Sequence, residues 1–421
     1  MSVISHHDLV VLLIGMATML ILSRVASEMA RGAKLPVVMG EIVIGIVLGP
    51  TLLGNFAPEI SNYIFPAEGH AALALNAITK IAVVMMLFVA GMEVQLPLVL
   101  KQGKAAVFTS VLSMIIPFFI GFVTAWYFPQ WFKQLPEYRL LFALFFGTAL
   151  AISALPVIAR ILIDMGLFKT KIGMIIIASA MFNDLIGWLI FSFILSSIKS
   201  PDASGDYTYT IFYIIGFGLL MLTVGRKLLD KIMPWMQQKL SWPGGVLSIS
   251  LGICFLSAAF TESIGIHAIL GAFIAGIAIG DSVHLKEKAR EIIYQFVTNI
   301  FAPLFFVSIG LRVNFVENFD LRLVLLVLFV AYIGKVSGAA IGARIGGFTR
   351  NESLAVGFGM NARGAMEIIL GTLALQAGLI NETIFVALVI MALITSLTSG
   401  PLMRLYLDDS YFNTNKQIEN N

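Results

Sequence analysis

Residues 171–198 read KIGMIIIASAMFNDLIGWLIFSFILSSI. This run is long enough to cross a bilayer, because a membrane-spanning helix needs about 20 mostly apolar residues. It carries two strongly polar side chains, Asn183 and Asp184, near its middle. An ionisable group at that depth costs about 2.5–3.5 kcal/mol on insertion scales, so its presence needs a reason. The stretch therefore predicts a transmembrane helix that holds a functional polar site.

The composition of the whole chain fits the same class. Of its 421 residues, 59% are hydrophobic and 12% are charged, against about 45–50% and about 25% in soluble proteins. The formal net charge is only +3, and the single cysteine, Cys254, cannot form an internal disulfide. These values exclude a soluble enzyme, a disulfide scaffold and a nucleic-acid binder. We expect no enzymatic activity and no cofactor.

The apolar runs, separated by short polar segments, predict about thirteen membrane-spanning helices. The fold class is therefore predicted to be an all-α polytopic membrane protein. Most of the 27 Lys and Arg residues fall in one set of alternate loops. By the positive-inside rule, these loops are cytoplasmic. The prediction is a multi-pass protein of the cell (inner) membrane, with its N-terminus outside and its C-terminus in the cytoplasm. The start of the chain lacks the basic region of a signal peptide, so no cleavable signal is expected.

Two segments resemble each other across the chain. Residues 40–49 read GEIVIGIVLG and residues 271–280 read GAFIAGIAIG, so three glycines coincide at the same spacing. The next span of each half carries a second match, GMEV at 91–94 and GLRV at 310–313. Seven spans separate the counterparts, which gives the halves opposite orientations. This pattern predicts an inverted repeat, the architecture of many secondary transporters. The alternative is a chance likeness between glycine-rich apolar helices.

Two spans show signs of interruption at corresponding positions of the two halves. Residues 147–160, GTALAISALPVIAR, contain Thr148, Ser153 and Pro156, and a proline inside a helix removes a backbone donor. Residues 357–371, GFGMNARGAMEIILG, combine four glycines with Asn361. Two interrupted helices at such positions indicate a transporter binding site, and we expect their ends to present carbonyls to cations. The alternative is an ordinary proline kink with glycine packing.

The buried charges favour the same kind of site. Asp184 can accept a proton or bind a hard cation through oxygen, although a buried aspartate can also satisfy a helix break or a lysine. Lys335 lies at the centre of the eleventh predicted span, and we expect it to be the counter-charge of Asp184. The alternative for Lys335 is snorkelling to the membrane surface. Glycines 334, 338, 342 and 346 recur every four residues beside it, a spacing that lets another helix approach closely.

Arg363 and Glu367 are four residues apart in the twelfth predicted span. This spacing predicts an ion pair on one helix face. Together with Asn361 and Pro156, the pair is a candidate support for the site.

These motifs resemble the cation:proton antiporter-2 family, over about residues 8–405. The pieces that carry the resemblance are LPVVMGEIVIGIVLGP, GTALAISALPVIARIL, FNDLIGW, GIHAILGAFIAG and GMNARGAMEIILGTLALQAGLI. The family includes bacterial Na⁺/H⁺ antiporters and the membrane part of Kef-type K⁺/H⁺ exchangers. The resemblance implies thirteen helices, a homodimer, two interrupted helices that cross, and an elevator motion of a core against a scaffold.

The resemblance also assigns regions and roles. Scaffold helices are expected in 1–103 and 243–320, core helices in 104–200 and 321–405, a linker helix in 201–242 and a cytoplasmic tail in 406–421. The ion-binding aspartate of the family falls on Asp184 and the residue before it on Asn183. The lysine of its eleventh helix falls on Lys335, and its polar residues in the first broken helix fall near Thr148 and Ser153.

Two departures from the family pattern matter. Well-known electrogenic members carry two adjacent aspartates, whereas Asn183 precedes Asp184 here. The electroneutral exchangers often carry Asn-Asp, but with arginine in place of the lysine. Kef-type members usually carry glutamine before the aspartate and a C-terminal nucleotide-binding domain, so no attached nucleotide-binding domain is expected.

The sequence as a whole predicts a secondary active antiporter that exchanges a monovalent cation for H⁺ and serves pH homeostasis. Na⁺ is the first choice, with K⁺ or Li⁺ as alternatives, and the expected partners are the lipid bilayer and a second copy of the chain. A passive cation channel is the first alternative function, but channels need rings of carbonyls or charges and the sequence shows no such run. The second alternative is a regulatory membrane protein.

Overall fold

The computed structural model describes residues 4–33, 35–94, 103–132, 138–168, 170–199, 208–239, 244–282 and 284–407. All regular secondary structure within these ranges is helical. The helices of the first half are α1 (His6–Gly32), α2 (Val37–Leu48), α3 (His70–Glu93), α4 (Lys104–Tyr127), α5 (Arg139–Ala151), α6 (Leu155–Asp164) and α7 (Lys171–Lys199). Short helical segments at Leu53–Phe56, Pro58–Ile64 and Pro129–Phe132 lie between them.

The second half contains ten further helices. They are α8 (Thr208–Leu220), α9 (Arg226–Lys239), α10 (Gly244–Ser263), α11 (Ala268–Gly280), α12 (Glu287–Phe296), α13 (Ala302–Gly310), α14 (Leu321–Ile345), α15 (Arg350–Met360), α16 (Ala365–Gln376) and α17 (Glu382–Leu405). Short π-helical segments join α8 to α9 at Met221–Gly225 and α12 to α13 at Val297–Phe301.

Among the described residues, 11 helical stretches are long and apolar enough to cross a bilayer. Two shorter apolar helices, α11 and α16, accompany them. The all-α polytopic fold is therefore confirmed, while the count of thirteen spans stays a prediction. Residues 408–421 of the expected cytoplasmic tail lie outside the described residues.

The chain divides into two compact units. The first comprises Met1–Gln95 and Asp202–Asn318, and the second comprises Leu96–Pro201 and Phe319–Asn421. Each unit draws its helices from both halves of the sequence.

In the first unit, α2 and α11 use their glycines to approach neighbouring helices. A Cβ atom at any of the three glycines shared by residues 40–49 and 271–280 would overlap the backbone of the helix it faces. The matched pairs are Gly40 on Ala26 and Gly271 on Ser257, Gly45 on Val307 and Gly276 on Phe88, and Gly49 on Gly310 and Gly280 on Met92. Corresponding glycines therefore make corresponding contacts. The inverted repeat itself stays a prediction.

In the second unit, the glycine row of α14 packs against α4. A Cβ atom at Gly338 would lie 2.5 Å from the Leu112 carbonyl oxygen, and one at Gly342 would lie 2.6 Å from the Thr109 Cα atom. The other glycines of the row, Gly334 and Gly346, meet Pro117 and Ala105 in the same way. This confirms the predicted close approach and places the middle of α14, with Lys335, directly beside α4.

The structure confirms both predicted interruptions, and the two breaks meet. Helix α5 ends at Ala151 and α6 begins at Leu155, while α15 ends at Met360 and α16 begins at Ala365. The Ala154 N–H donates to the Ala362 carbonyl at 3.1 Å, and the Ser153 hydroxyl donates to the Met360 carbonyl at 3.1 Å. Backbone groups that the interruptions release from one helix are thus satisfied in part by the other break.

Pro156 has a simpler role than the sequence suggested. It lies in the first turn of α6. The N–H groups of a first turn make no hydrogen bond within the helix, so the missing N–H of proline costs nothing there. Pro156 therefore begins a helix rather than kinking a continuous one.

Candidate functional site

The polar residues singled out from the sequence gather in the second unit around the two breaks. Their side chains are buried there, and Asp184 is only 5% exposed. The others are Thr148, Ser153, Asn183, Lys335, Asn361, Arg363 and Glu367. Helix α7 contributes Asn183 and Asp184, helix α14 contributes Lys335, and the other residues lie in the two breaks or in the helices that flank them.

The Lys335 ammonium group faces three oxygen acceptors. Its Nζ atom donates to the carbonyl of Ala151, the last residue of α5, and to the carbonyl of Ser113 in α4 at 3.2 Å. The Asn183 amide is assigned the orientation in which its nitrogen faces an acceptor and its oxygen faces donors. In this orientation the Oδ1 atom lies 2.9 Å from Nζ. An ammonium group has three donors, so each of them has an acceptor in this arrangement.

Lys335 also has titratable neighbours. Asp184, Glu367 and Arg363 all lie within electrostatic range of Nζ. The structure therefore places Asp184 and Lys335 in the same polar site, and the counter-charge role of Lys335 stays a prediction. The roles of these two residues in transport stay predictions.

The Asn183 side chain is held on both sides. Its Oδ1 atom accepts from Lys335 Nζ and from Ser113 Oγ, each at 2.9 Å, and its amide nitrogen donates to the Ser110 carbonyl at 3.0 Å. A carbonyl-type oxygen has two lone pairs. Both lone pairs of Oδ1 are therefore used within the protein.

The C-terminal end of α5 is capped by cationic side chains. Arg363 donates to the carbonyls of Ala149 at 2.9 Å and Leu150 at 2.7 Å, and Lys335 donates to the carbonyl of Ala151. The last carbonyls of a helix have no partner within it, and they form the negative end of its dipole. The sequence led us to expect these carbonyls to face a transported cation, but in the structure they accept from protein cations.

The predicted ion pair between Arg363 and Glu367 is present, with 3.1 Å between Nη1 and Oε1. Both side chains are almost fully buried. Arg363 lies in the break before α16 rather than on the helix, whereas Glu367 lies in the first helical turn. A carboxylate there stabilises the positive end of the helix dipole. Glu367 thus compensates two positive groups at once, the Arg363 side chain and the helix terminus.

Three further polar residues lie in or beside the breaks. The Thr148 hydroxyl donates to the Leu144 carbonyl at 2.7 Å and the Ser153 hydroxyl donates to the Met360 carbonyl. Each hydroxyl oxygen keeps lone pairs that can accept a proton donor or bind a cation. Asn361 is fully buried, and neither atom of its amide has a hydrogen-bond partner among the described residues.

Sequence reasoning missed three serines that extend this network. Ser113 contacts both Asn183 and Lys335, and the Ser110 hydroxyl donates to the Ser179 hydroxyl at 3.1 Å. A spacing signal was available, since Ser110 and Ser113 are three residues apart on α4 and Ser179 and Asn183 are four apart on α7. In the part of the chain that the structure describes, no cluster of three or more His, Cys, Asp or Glu residues could hold a metal ion.

A helical membrane fold whose two interrupted helices meet beside a buried carboxylate and a buried ammonium group has the architecture of a secondary transporter. Residues 15–407 match the family described as sodium/hydrogen exchanger, transmembrane. This chain belongs to that family.

Relatives and solved structures agree with this membership. The chain is 31% identical over 401 residues to the Na⁺/H⁺ antiporter NhaS4 of Synechocystis, and the alignment covers 94% of this chain and 97% of that protein. It is 28% identical to a Na⁺/H⁺ antiporter of Enterococcus hirae, over 94% of this chain and 97% of the relative. It is 30% identical to K(+)/H(+) antiporter 1 of Saccharomyces cerevisiae, over 89% of this chain but only 44% of the relative.

The fold is similar to that of the sodium proton antiporter MjNhaP1 from Methanocaldococcus jannaschii. The TM-score is 0.67 at 16% identity, and the alignment covers 94% of this chain and 96% of the other. At this identity the likeness concerns the fold alone.

Proposed function

We propose that this protein is a secondary active antiporter that exchanges a monovalent cation for H⁺ by alternating access, with Asp184 as the carboxylate that both ions share. The observation that carries the proposal is the buried Asp184 beside Lys335, an ammonium group already satisfied by three oxygen acceptors. Asp184 lies within electrostatic range of this ammonium group, so a proton or a cation bound at the carboxylate would face a nearby positive charge. Family membership and the two relatives described as Na⁺/H⁺ antiporters support the same reading.

Exchange follows from competition for one group. A carboxylate binds either a proton or a hard cation, and a carrier that crosses only when loaded then couples the two flows. The hydroxyl oxygens of Thr148 and Ser153 are the proposed additional ligands, since Na⁺-like hard cations prefer oxygen. Na⁺ is the proposed substrate, with K⁺ and Li⁺ as alternatives, because one relative is described as a K⁺/H⁺ antiporter.

The test is transport by the purified full-length chain in sealed proteoliposomes that contain a pH-sensitive dye. An inward gradient of Na⁺, K⁺ or Li⁺ is imposed in turn, with an ionophore clamping the membrane potential. We expect the inward Na⁺ gradient to drive H⁺ out of the lumen, so that the luminal pH rises. Cation uptake without any pH change would instead establish a passive channel and refute antiport.

The finer architecture belongs to the same proposal. We place the protein in the cation:proton antiporter-2 branch, with thirteen spans, an inverted repeat and an elevator motion of core helices against scaffold helices. Two observations support this: the matched glycine contacts of α2 and α11, and the division of the chain into two compact units. Engineered cysteine cross-links between scaffold and core helices test the elevator motion. If the core moves against the scaffold, such cross-links should stop the exchange.

We further propose a homodimer in the inner membrane, with the N-terminus outside and the C-terminus in the cytoplasm. The excess of Lys and Arg in one set of alternate loops supports this orientation. Labelling of single cysteines placed near each terminus, with a membrane-impermeant reagent on intact cells, tests the orientation. The mass of the detergent-solubilised complex tests the dimer.

A further inference from the structure

Ser113 of α4 contacts both Lys335 and Asn183. Its carbonyl accepts from Lys335 at 3.2 Å and its hydroxyl lies 2.9 Å from the Asn183 amide. We infer that Ser113 is a positioning residue, which holds the Asn183 amide with its oxygen on Lys335 and so keeps the ammonium group away from Asp184. This inference rests on the proposed exchange of ions at Asp184.

The Ser113 hydroxyl carries a single proton. Its oxygen lies 3.1 Å from the Ser110 carbonyl and 2.9 Å from Asn183 Oδ1, so the proton can serve one of two acceptors. When the Asn183 amide nitrogen takes the Ser110 carbonyl, the hydroxyl proton is left for the amide oxygen. Both amide atoms of Asn183, the Ser113 hydroxyl proton and the Ser110 carbonyl then have a partner.

The opposite amide orientation fails on two counts. It would turn the amide nitrogen toward Lys335 Nζ, which sets donor against donor, and the amide oxygen toward the Ser110 carbonyl, which sets acceptor against acceptor. Leaving buried polar groups without partners is costly. Lys335 and the Ser110 carbonyl therefore set the orientation, and the Ser113 hydroxyl then holds it by donating to the correctly placed oxygen.

The two lone pairs of Asn183 Oδ1 are taken by Ser113 Oγ and Lys335 Nζ. Asn183 therefore acts as part of the clamp on Lys335 and not as a ligand of the cation. The resemblance placed Asn183 among the candidate cation- or proton-binding residues, and this inference gives it a supporting role instead.

The consequence concerns competition at Asp184. Without the Ser113 hydroxyl, the amide is held less firmly and Lys335 loses support from its third acceptor. The ammonium group then spends more time on the Asp184 carboxylate and competes with the cation. The expected signature is a higher apparent KM for the cation at an almost unchanged maximal rate.

The test compares Ser113→Val with Ser113→Thr in the full-length chain in proteoliposomes. The two side chains have nearly the same shape and differ in the hydroxyl group. We expect Ser113→Val, and likewise Ser113→Ala, to raise the KM for Na⁺ about two- to tenfold, the range expected for loss of one hydrogen bond. Ser113→Thr should keep the KM of the unaltered protein. Ser196→Ala is the matched control, because it removes a buried hydroxyl of α7 that donates to the Ser192 carbonyl of its own helix.

A double-mutant comparison separates positioning from packing. If Ser113 acts through the amide, Ser113→Ala should not raise the KM further in a chain that already carries Asn183→Ala. Equal KM values for Ser113→Val, Ser113→Thr and Ser196→Ala, or additive effects in the double variant, would overturn the inference. Absence of cation-driven proton movement in the unaltered protein would instead refute the proposed function, so the two failures are distinguishable.

Discussion

Asp184 carries the most specific prediction at the scale of single residues. Replacing its carboxylate by an amide in Asp184→Asn removes the group that both ions would share, with little change of shape. We expect cation-driven pH change to fall to the level of empty liposomes, while the purified variant keeps its elution volume and thermal transition. If the variant retains half or more of the exchange rate, Asp184 is not the shared site.

Lys335 is predicted to stabilise the fold as well as to balance charge. Lys335→Ala leaves the carbonyls of Ala151 and Ser113 and the Asn183 amide oxygen without this donor in a buried region. A buried group left unsatisfied costs about 1–3 kcal/mol, so we expect a clearly lower unfolding temperature. The measurement is thermal unfolding of the detergent-solubilised protein, with Lys80→Ala at an exposed position as control. Unchanged stability together with unchanged exchange would disprove the pairing.

The same lysine bears on charge balance during exchange. The three acceptors around Nζ match the three N–H donors of an ammonium group. A neutral amine has only two N–H donors, so its lone pair would face the third acceptor. With Lys335 charged throughout, a cation at Asp184 replaces one proton, and no net charge moves. We therefore predict electroneutral one-for-one exchange, whose rate at fixed ion gradients does not change when the membrane potential is stepped.

Asn183→Asp tests that charge balance from the other side. It adds a second ionisable group beside Asp184, so we expect voltage dependence or a shifted pH profile. A steep voltage dependence in the unaltered protein would show that Lys335 carries a second proton.

At the scale of helices, the contact between α14 and α4 makes a direct prediction. Gly338→Ala places a Cβ atom 2.5 Å from the Leu112 carbonyl oxygen, and overpacking of this kind typically costs about 1–3 kcal/mol. The matched control is Gly252→Ala in α10, where nothing lies within 4 Å of the added atom. We expect a lower unfolding temperature for the first variant and an equal or higher one for the control. Equal stabilities would mean that the helices can separate at no cost.

The interrupted helices show how far sequence reasoning reaches at this scale. Thr148, Ser153, Pro156 and the glycines around Asn361 marked both breaks correctly, because proline and glycine act on their own local backbone. The partners of the released carbonyls could not be read in the same way. Arg363 caps a carbonyl that lies 214 residues away along the chain, and helix-face spacing predicted only its pairing with Glu367.

For the molecule as a whole, composition and apolar run length were enough to predict the all-α membrane fold. The number of spans was harder to fix, because interrupted and short helices such as α11 and α16 fall below the length of a complete span. The serine network around Asn183 could not be predicted either, since it depends on which faces of α4, α7 and α14 meet. Serine is also common in membrane helices, where it often only bonds to its own helix, as Ser196 does here.

The capping of α5 has a consequence for biosynthesis. The ribosome delivers α5 to the membrane long before Lys335 and Arg363 have been translated, yet those two side chains satisfy its last three carbonyls. Until they arrive, the newly made first half holds polar backbone groups at membrane depth with no permanent partner, a situation that the bilayer penalises. Maturation of the first break is therefore a late event, and a nascent chain stalled before residue 335 should be a preferred substrate for membrane quality-control proteases.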